Sequence, residues 1–380
     1  MSDYTTIDDP AKYFTSFLWT GDGNSPRSLT GVGFQADFMW SKIRDTGHEH
    51  SLIDSVRGVD NKRLKSDSTA AEDTTNTHGH FDSLDSDGFT VTGASGYWNV
   101  NTNTKTYVGW FWKGSGGSGS ADSNGTINTT STSASTTSLF SVSTYTGNNS
   151  NAQTIGHGLG VAPKVYIQKR RDDASAWGMY HGSLGTNKYL QLESTNAQAT
   201  DTGIWNNTAP TSTVVSLGNA GYFNNVSSAT YVSYAFGEVQ GYSKFGSFEG
   251  NNNADGSFVY LGFKPAWLLI KDADSQNTVG GTVATSWGIW DNKRMPNNPA
   301  SNPLWSNKNG TETIRGNNSS ANTGGSDGNG LGGFLHLDML SNGFKCRCAT
   351  SELNDAQTYV YMAFAEQPFV NSKGIPANAK

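Results

Sequence analysis

The sequence predicts an all-β protein made of three tandem β-sandwich domains of one repeated type, of the jelly-roll class. The 380 residues include 45 Gly, 11 Trp, 15 Tyr and 18 Phe, and only 15% are charged. Short aromatic and β-branched runs between polar turn formers favour strands over long helices. Four short motifs also recur three times in one order. Composition therefore predicts the fold class, and the recurrence predicts the number of domains.

The clearest motif starts at a glycine and closes on a lysine nine residues later. It reads GFQADFMWSK from Gly33, GVAPKVYIQK from Gly160 and GFKPAWLLIK from Gly262. Each line fits a buried strand that reaches the surface at its lysine. An aromatic-x-Gly motif (WTG, YTG, FEG) precedes it, and SLID, WGMYH or WGIWD follows, then YVGWFW, YVSYAF or YVYMAF. The last motif is apolar enough for a central strand covered on both faces or for a strand at a domain contact. A unit of roughly 100 residues can bury its own core.

These motifs divide the chain into a first repeat at residues 1–113, a second at 138–245 and a third at 246–370, with a polar tail at 371–380. Residues 114–137 are rich in Gly, Ser and Thr, which predicts a flexible or extended linker. The second and third repeats have almost no linker between them. We therefore expect these two to form a tight pair and the first repeat to be more independent.

Charge and hydropathy exclude several classes of protein. The net charge is −6 and the pI about 5.6, without the basic stripe of a nucleic-acid binder. No apolar run is long enough for membrane insertion. The first residues, MSDYTTIDDPAKYF, do not resemble an export signal. We expect synthesis in a cytoplasm, followed by retention there or release inside a larger assembly.

Motifs for catalysis are missing from the sequence. It has no Gly-x-Ser-x-Gly elbow and no phosphate-binding loop, and nothing selects a pair of carboxylates. We predict no enzymatic activity and no cofactor. Cys346 and Cys348 are expected to be small apolar residues on one strand face, because a zinc site would need two further ligands.

The best metal candidates are two His-x-His pairs, His48 with His50 and His78 with His80. An extended segment would point both rings of a pair to one side, and imidazole suits Zn, Fe, Ni or Cu. Exposed polar loops explain the same pattern without a metal. The prediction is therefore that no metal is bound.

Tryptophans that do not recur between the repeats are the best candidates for a binding surface. These are Trp98, Trp205 and Trp305, because the shared fold does not need them. Trp305 and its neighbour Leu304 lie in a long polar insertion, residues 297–329, and could form an apolar anchor for a partner. The alternative is that these side chains pack into a core, with Trp305 folded back onto its own sandwich.

The repeated sequence resembles a group of tandem-domain proteins from marine bacteriophages of cyanobacteria and ocean heterotrophs. The segments concerned are GVGFQADFMWSKIRD, HSLIDSVRG, LKSDSTAAED, TIGHGLGVAPKVYIQKRRD and TYVSYAFGEVQGYSKFGSFEGN. The resemblance covers residues 5–370. It implies a structural or tail-fibre-like virion protein with a lectin-like sandwich, and it supplies no catalytic residues. Ala36 departs from the proline usual in that group, and the third repeat has an extended Asn-rich middle.

The resulting hypothesis is a virion structural protein, a tail fibre or appendage that contacts the host cell surface. The first alternative is a capsid decoration or other structural component without a ligand, and the second is a polysaccharide-degrading enzyme. Expected partners are other virion proteins, further copies of the chain (a trimer being one option) and a host surface glycan or protein. The expected location is the virion, assembled in the host cytoplasm.

Overall fold

The fold is all-β. A computed structural model describes residues 4–75, 79–93, 100–219, 223–274, 278–279, 282–283, 285–312, 337–349 and 353–376. Its strands are antiparallel, and the one helical element among these residues is a 3₁₀ turn at Pro10–Lys12. None of the described helical structure has the length and hydropathy to cross a membrane.

The first repeat contains two sheets. Its strands are β1 (Phe14–Thr20), β2 (Arg27–Thr30), β3 (Phe38–Ile43), β4 (Ser51–Asp54), β5 (His80–Asp85), β6 (Gly88–Thr92) and β7 (Thr106–Trp112). The larger sheet has the order β1-β7-β3-β4, and the smaller sheet has the order β2-β6-β5.

The second repeat extends the same plan. Its strands, with one from the preceding segment, are β8 (Ser131–Ser135), β9 (Phe140–Thr146), β10 (Gln153–Gly156), β11 (Val165–Arg170), β12 (Trp177–His181), β13 (Lys188–Gln191), β14 (Ala199–Thr200), β15 (Val214–Leu217) and β16 (Thr230–Phe236). The larger sheet runs β14-β13-β12-β11-β16-β9-β8, and the smaller pairs β10 with β15.

The third repeat returns to the first arrangement. Its strands, the first of which begins three residues before the boundary drawn from the sequence, are β17 (Ser243–Glu249), β18 (Phe258–Tyr260), β19 (Phe263–Asp272), β20 (Thr278–Val279), β21 (Thr282–Val283), β22 (Gly288–Asp291), β23 (Leu304–Trp305), β24 (Leu337–Leu340), β25 (Gly343–Cys346) and β26 (Thr358–Pro368). The larger sheet runs β17-β26-β19-β22-β23, the smaller β18-β25-β24, and β20 pairs with β21.

The order β1-β7-β3-β4 therefore recurs as β9-β16-β11-β12 and as β17-β26-β19-β22. The register recurs too, since the three motif lysines face equivalent valines across the sheet: Lys42 and Val108, Lys169 and Val232, Lys271 and Val360. The sequence motifs thus occupy matching places in three sheets, and residues at matching places are called equivalent below.

A buried asparagine explains the aromatic-x-Gly motif. In the first repeat, Asn101 accepts the main-chain N–H of Asp22 (3.3 Å) and donates to the carbonyl of Asn24 (2.7 Å). The Asp22 carboxylate accepts the N–H of Asn24 in a local turn. Asn225 and Asn354 make the corresponding bonds in the second and third repeats. The acidic or amide residue after the glycine is needed to close this loop.

The larger sheet of the first repeat is covered on both faces. Met39 and Ile43 of β3 pack into a core inside the repeat, whereas Phe38 and Trp40 point into a core shared with the other two repeats. The first repeat therefore contributes to the shared core, and it is not the independent unit expected from the sequence.

The predicted linker contains a strand. β8 pairs with β9 at the edge of the larger sheet of the second repeat. Before it, the main-chain N–H groups of Gly114, Gly116 and Gly117 donate to the buried carboxylate of Asp37. The boundaries drawn from the sequence stay a prediction.

Candidate functional site

A closed ring of main-chain hydrogen bonds joins the three repeats. In each bond the acceptor is the second residue after a motif lysine. The first repeat donates to the second, the second to the third and the third to the first: Glu72 N–H to Arg171 O (2.8 Å), Gln198 N–H to Ala273 O (2.8 Å) and Glu312 N–H to Arg44 O (2.7 Å). The same contact thus occurs three times in the same direction, which is a pseudo-three-fold arrangement within one chain.

A second ring is made by side chains at the start of the β4, β12 and β22 motifs. The indole N–H of Trp177 donates to Lys65 O (2.8 Å), and that of Trp287 donates to Gln191 O (3.0 Å). His50 takes the equivalent place in the first repeat, and its Nε2 lies 2.9 Å from Trp305 O. This joint, made by the two rings and the buried groups beside them, is the candidate functional site.

His50 is neutral in this ring. Its Nδ1 accepts the indole N–H of Trp40 at 2.8 Å, so Nε2 carries the proton and donates to Trp305 O. The side chain is fully buried, and burial lowers the pKa of His50 well below its ordinary value. Both ring nitrogens are occupied, so His50 cannot also bind a metal here.

Buried ion pairs occupy two of the three contacts between the repeats. Arg57 Nε lies 2.5 Å from Asp54 Oδ2, and Arg57 Nη1 lies 2.6 Å from Glu72 Oε1. The Tyr234 hydroxyl donates to Asp54 at 2.7 Å. The third repeat has the same pattern with Asp291 and Arg294 at 2.5 Å. There the indole N–H of Trp110 donates to Asp291. Each pair links one repeat to an aromatic side chain of another.

The equivalent contact of the second repeat is uncharged. His181 and Leu184 stand in the places of the Asp and Arg, and His181 Nε2 donates to Tyr361 O at 3.2 Å. Its Nδ1 accepts the N–H of Ser183. Burial lowers the pKa of His181 to about 4. The site therefore contains two buried, neutral histidines at contacts between repeats.

Lowering the pH from 7 to 4 is expected to destabilise the fold through His181. In the unfolded chain, His181 has its ordinary pKa of 6.5 and takes up a proton in this window. In the folded chain, its pKa of about 4 keeps the imidazole neutral over most of the same range. The contribution of His181 to the free energy of unfolding is fully present above pH 6.5 and is lost as the pH falls towards 4. The loss amounts to about 3 kcal/mol for this one side chain. Thermal unfolding followed across this pH range measures the loss.

The matched variant is His181→Gln, which keeps an N–H donor for Tyr361 O but does not titrate. Its melting temperature should fall less steeply between pH 7 and pH 4 than that of the natural chain. Two parallel curves would show that His181 is not the responsible group.

The three motif lysines do not reach the surface, contrary to the sequence-based expectation. Lys42, Lys169 and Lys271 are at most 2% exposed, and each Nζ donates to the carbonyl of the following residue at 2.6–2.7 Å. Lys169 and Lys271 also donate to a neighbouring repeat, at Thr69 O and Thr195 O. Burial lowers the pKa of Lys42 and Lys169 to about 8.

The structure buries Leu304 and Trp305 instead of exposing them as an anchor. They form β23, which pairs with β22, and they are 1% and 6% exposed. Trp305 packs in the core of the third repeat, as the alternative interpretation held, and its carbonyl belongs to the second ring. Its equivalents are Lys65 and Gln191, so the place is structural. Residues 313–329 of the insertion lie outside the described residues.

Trp205 is also a core residue. It is fully buried, its indole N–H donates to Lys188 O at 2.9 Å, and its ring lies 4.9 Å from that of Tyr166. It is therefore unavailable as a surface contact. Trp98 lies outside the described residues.

Within the part of the chain that the structure describes, one group of residues could hold a metal. Ligand atoms of Asp60, His80 and Asp82 lie within 4.8 Å of one another, with His80 Nε2 2.7 Å from Asp82 and 3.3 Å from Asp60. Contacts of an imidazole with two carboxylates explain this geometry without an ion. His48 is not a member of the group, and His78 lies outside the described residues. Cys346 and Cys348 are buried free thiols.

These features define an all-β protein whose three repeats close on one another through recurring contacts. The chain belongs to the family described as Domain of unknown function (DUF7483), whose model matches residues 9–368. The match spans all three repeats. No curated protein and no solved structure matches the chain significantly.

Proposed function

We propose that the chain is three tandem β-sandwich domains closed into a pseudo-three-fold unit, and that it is a bacteriophage virion protein. Its role in this proposal is that of a tail fibre or appendage that contacts the host surface. The observation that supports it most is the ring Glu72 to Arg171, Gln198 to Ala273 and Glu312 to Arg44. Jelly-roll sandwiches are common in viral capsid and lectin domains, and closed symmetry is the usual form of protein assemblies.

The layering also supports a binding role. In the first repeat the larger sheet faces the shared core, so the smaller sheet and its loops face outward. A rigid core with outward loops is how sandwich proteins present binding residues. The buried His50 and His181 hydrogen-bond through both ring nitrogens at the joint between repeats, so neither is free to act as a catalytic base. This arrangement supports a non-enzymatic role.

Capsid decoration is the second candidate function. A unit of three repeats with pseudo-three-fold symmetry would match a three-fold position on a shell, and it would need no ligand. The arrangement inside one chain also removes the need for a homotrimer, so we propose that one chain is the working unit. Native mass spectrometry should then give 40.6 kDa, and a trimer mass would restore the oligomer expected from sequence.

Virions labelled with a gold-conjugated antibody against this chain provide the test. We expect the label on purified particles, at the tail or its appendages, together with binding of the purified protein to host cells. Label spread over the head without cell binding would favour decoration. Particles that lack the protein by mass spectrometry and by label would overturn both candidates.

A further inference from the structure

An exposed aromatic pair lies on the outer sheet of the third repeat. Of the large apolar side chains among the described residues, four are exposed: Val161, Phe258, Tyr260 and Ile375. Phe258 and Tyr260 are neighbours on one face of β18, at 46% and 47% exposure, while Val259 between them points into the core. Strand geometry places their Cα atoms about 6.7 Å apart. Together they form a small exposed aromatic patch.

The fold does not require aromatic residues at these two places. The inward residue of β18, Val259, pairs with Phe344, as Leu29 pairs with Phe89 in the first repeat. The same register in the second repeat pairs Ile155 with Val215. The places of Phe258 and Tyr260 are accordingly held by Ser28 and Thr30 in β2 and by Thr154 and Gly156 in β10. Two of the three equivalent strands therefore have no aromatic side chain at these places.

Neighbouring groups hold the Tyr260 ring in place. Lys244 Nζ lies 5.4 Å from the ring centroid and donates to Tyr260 O at 2.7 Å. The Tyr260 hydroxyl lies 3.0 Å from that of Tyr4. A ring fixed in this way loses little conformational entropy when a ligand stacks on it.

Charged side chains border the Phe258 ring. Lys345 is its partner across the sheet, and Lys345 Nζ lies 2.7 Å from the exposed carboxylate of Asp255. Arg347 lies 3.5 Å from Asp255 and 2.6 Å from Asp338. Cationic hydrogen-bond donors and anionic acceptors therefore lie near the exposed Phe258 side chain.

We propose that Phe258 and Tyr260 form a contact site for a carbohydrate chain, with Asp255, Lys345 and Arg347 binding its hydroxyl groups. The C–H face of a sugar ring is apolar and stacks on aromatic rings, while its rim of hydroxyls needs both donors and acceptors. The spacing of the Phe258 and Tyr260 Cα atoms, about 6.7 Å, is on the scale of neighbouring sugars in a chain. This inference rests on the proposed host-surface function and names its ligand class.

The size of the patch favours a sugar over a protein. A stable protein interface buries about 800 Å² on each partner, far more than two half-exposed side chains offer. The charged border would also have to be desolvated beneath a protein. A sugar chain satisfies the same groups through its hydroxyls and covers only the rings.

The decisive experiment compares the natural chain with Phe258→Ser/Tyr260→Thr, which installs the residues of β2. The probe is lipopolysaccharide purified from the host bacterium and immobilised for biolayer interferometry. We expect binding to weaken by about tenfold or more in the double variant, with an unchanged melting temperature. Val161→Ser, which removes an exposed apolar side chain elsewhere, should bind normally.

Asp255→Asn serves as a second variant that leaves both rings in place, and it should also weaken binding. Equal binding by the natural chain and the double variant would overturn the inference. So would self-association that the double variant abolishes while lipopolysaccharide binding persists.

Periodate treatment of host cells separates the two proposals, because it cleaves the vicinal diols of sugars. Cell binding that survives periodate would overturn the carbohydrate site and keep the host-contact function. A chain that binds neither cells nor lipopolysaccharide would overturn both. Loss of binding after periodate, together with the effect of the double variant, would support both.

Discussion

Replacing Arg57 with leucine is expected to lower the free energy of unfolding by about 3–5 kcal/mol. The guanidinium is completely buried, 2.5 Å from Asp54 and 2.6 Å from Glu72. Burial opposes its charge, yet the two carboxylates raise the pKa of Arg57 above its ordinary value. Without the cation, both carboxylates would stay in an apolar joint with too few donors. Urea unfolding followed by tryptophan fluorescence measures the loss.

The chain contains its own control for this substitution. The second repeat has His181 and Leu184 at the places of Asp54 and Arg57, with a neutral histidine and no ion pair. The double variant Asp54→His/Arg57→Leu copies that contact into the first repeat. It should be more stable than Arg57→Leu alone, because a neutral imidazole leaves only Glu72 to be compensated, and Arg171 is 2.9 Å from it. Equal losses in the single and double variants would show that charge is not the reason.

Strands and their recurrence were accessible from the sequence for a physical reason. A strand such as β3 needs a continuous apolar run when both faces are covered, and FMW, VYI and WLLI supply one in each repeat. The prediction that YVGWFW forms a central strand covered on both faces is confirmed for β7, where Phe111 and Trp112 pack in different cores. Local composition therefore predicts where these buried strands lie.

The prediction that the motif lysines reach the surface is wrong, although a charged residue usually marks a surface position. Lys42, Lys169 and Lys271 are the same residue in all three repeats, whereas exposed places such as that of Phe258 vary from repeat to repeat. An invariant charged residue in an otherwise apolar line is a signal of a buried amine with carbonyl acceptors. Spacing alone did not reveal it, since the acceptors Thr69 and Thr195 belong to neighbouring repeats.

The joint between repeats could not be derived from one repeat at a time. His50 could have been found as the equivalent of Trp177 and Trp287, since all three side chains offer a ring N–H. Its acceptor, Trp305 O, lies 255 residues away, and the longer loop of the third repeat hid the equivalence of Trp305 with Lys65. The long loop and the isolated tryptophan predicted that Trp305 contacts a partner. Its role in the structure instead follows from its place in the backbone, where its carbonyl accepts the hydrogen bond of His50.

The shared core gives the second large effect. Trp112→Ala is expected to lower the free energy of unfolding by about 3–5 kcal/mol. Trp112 is 1% exposed, and its ring packs against rings of all three repeats, with centroids 5.1 Å from Phe38, 6.3 Å from Phe236 and 5.6 Å from Phe364. The cavity would therefore open where the repeats meet, and urea unfolding should show one transition displaced to lower denaturant.

Trp112→Phe is the matched control, because Phe236 and Phe364 hold the equivalent places in the second and third repeats. Among the described residues, the indole N–H of Trp112 has no hydrogen-bond partner, so phenylalanine removes an unsatisfied donor as well as some volume. Its loss of stability should be clearly smaller than that of Trp112→Ala.

If Trp112→Ala instead produced a separate early transition, with the remaining transition unchanged, the first repeat would fold on its own. The three repeats would then be independent units in contact, whereas a single displaced transition would mean that the shared aromatic core makes them one cooperative structure.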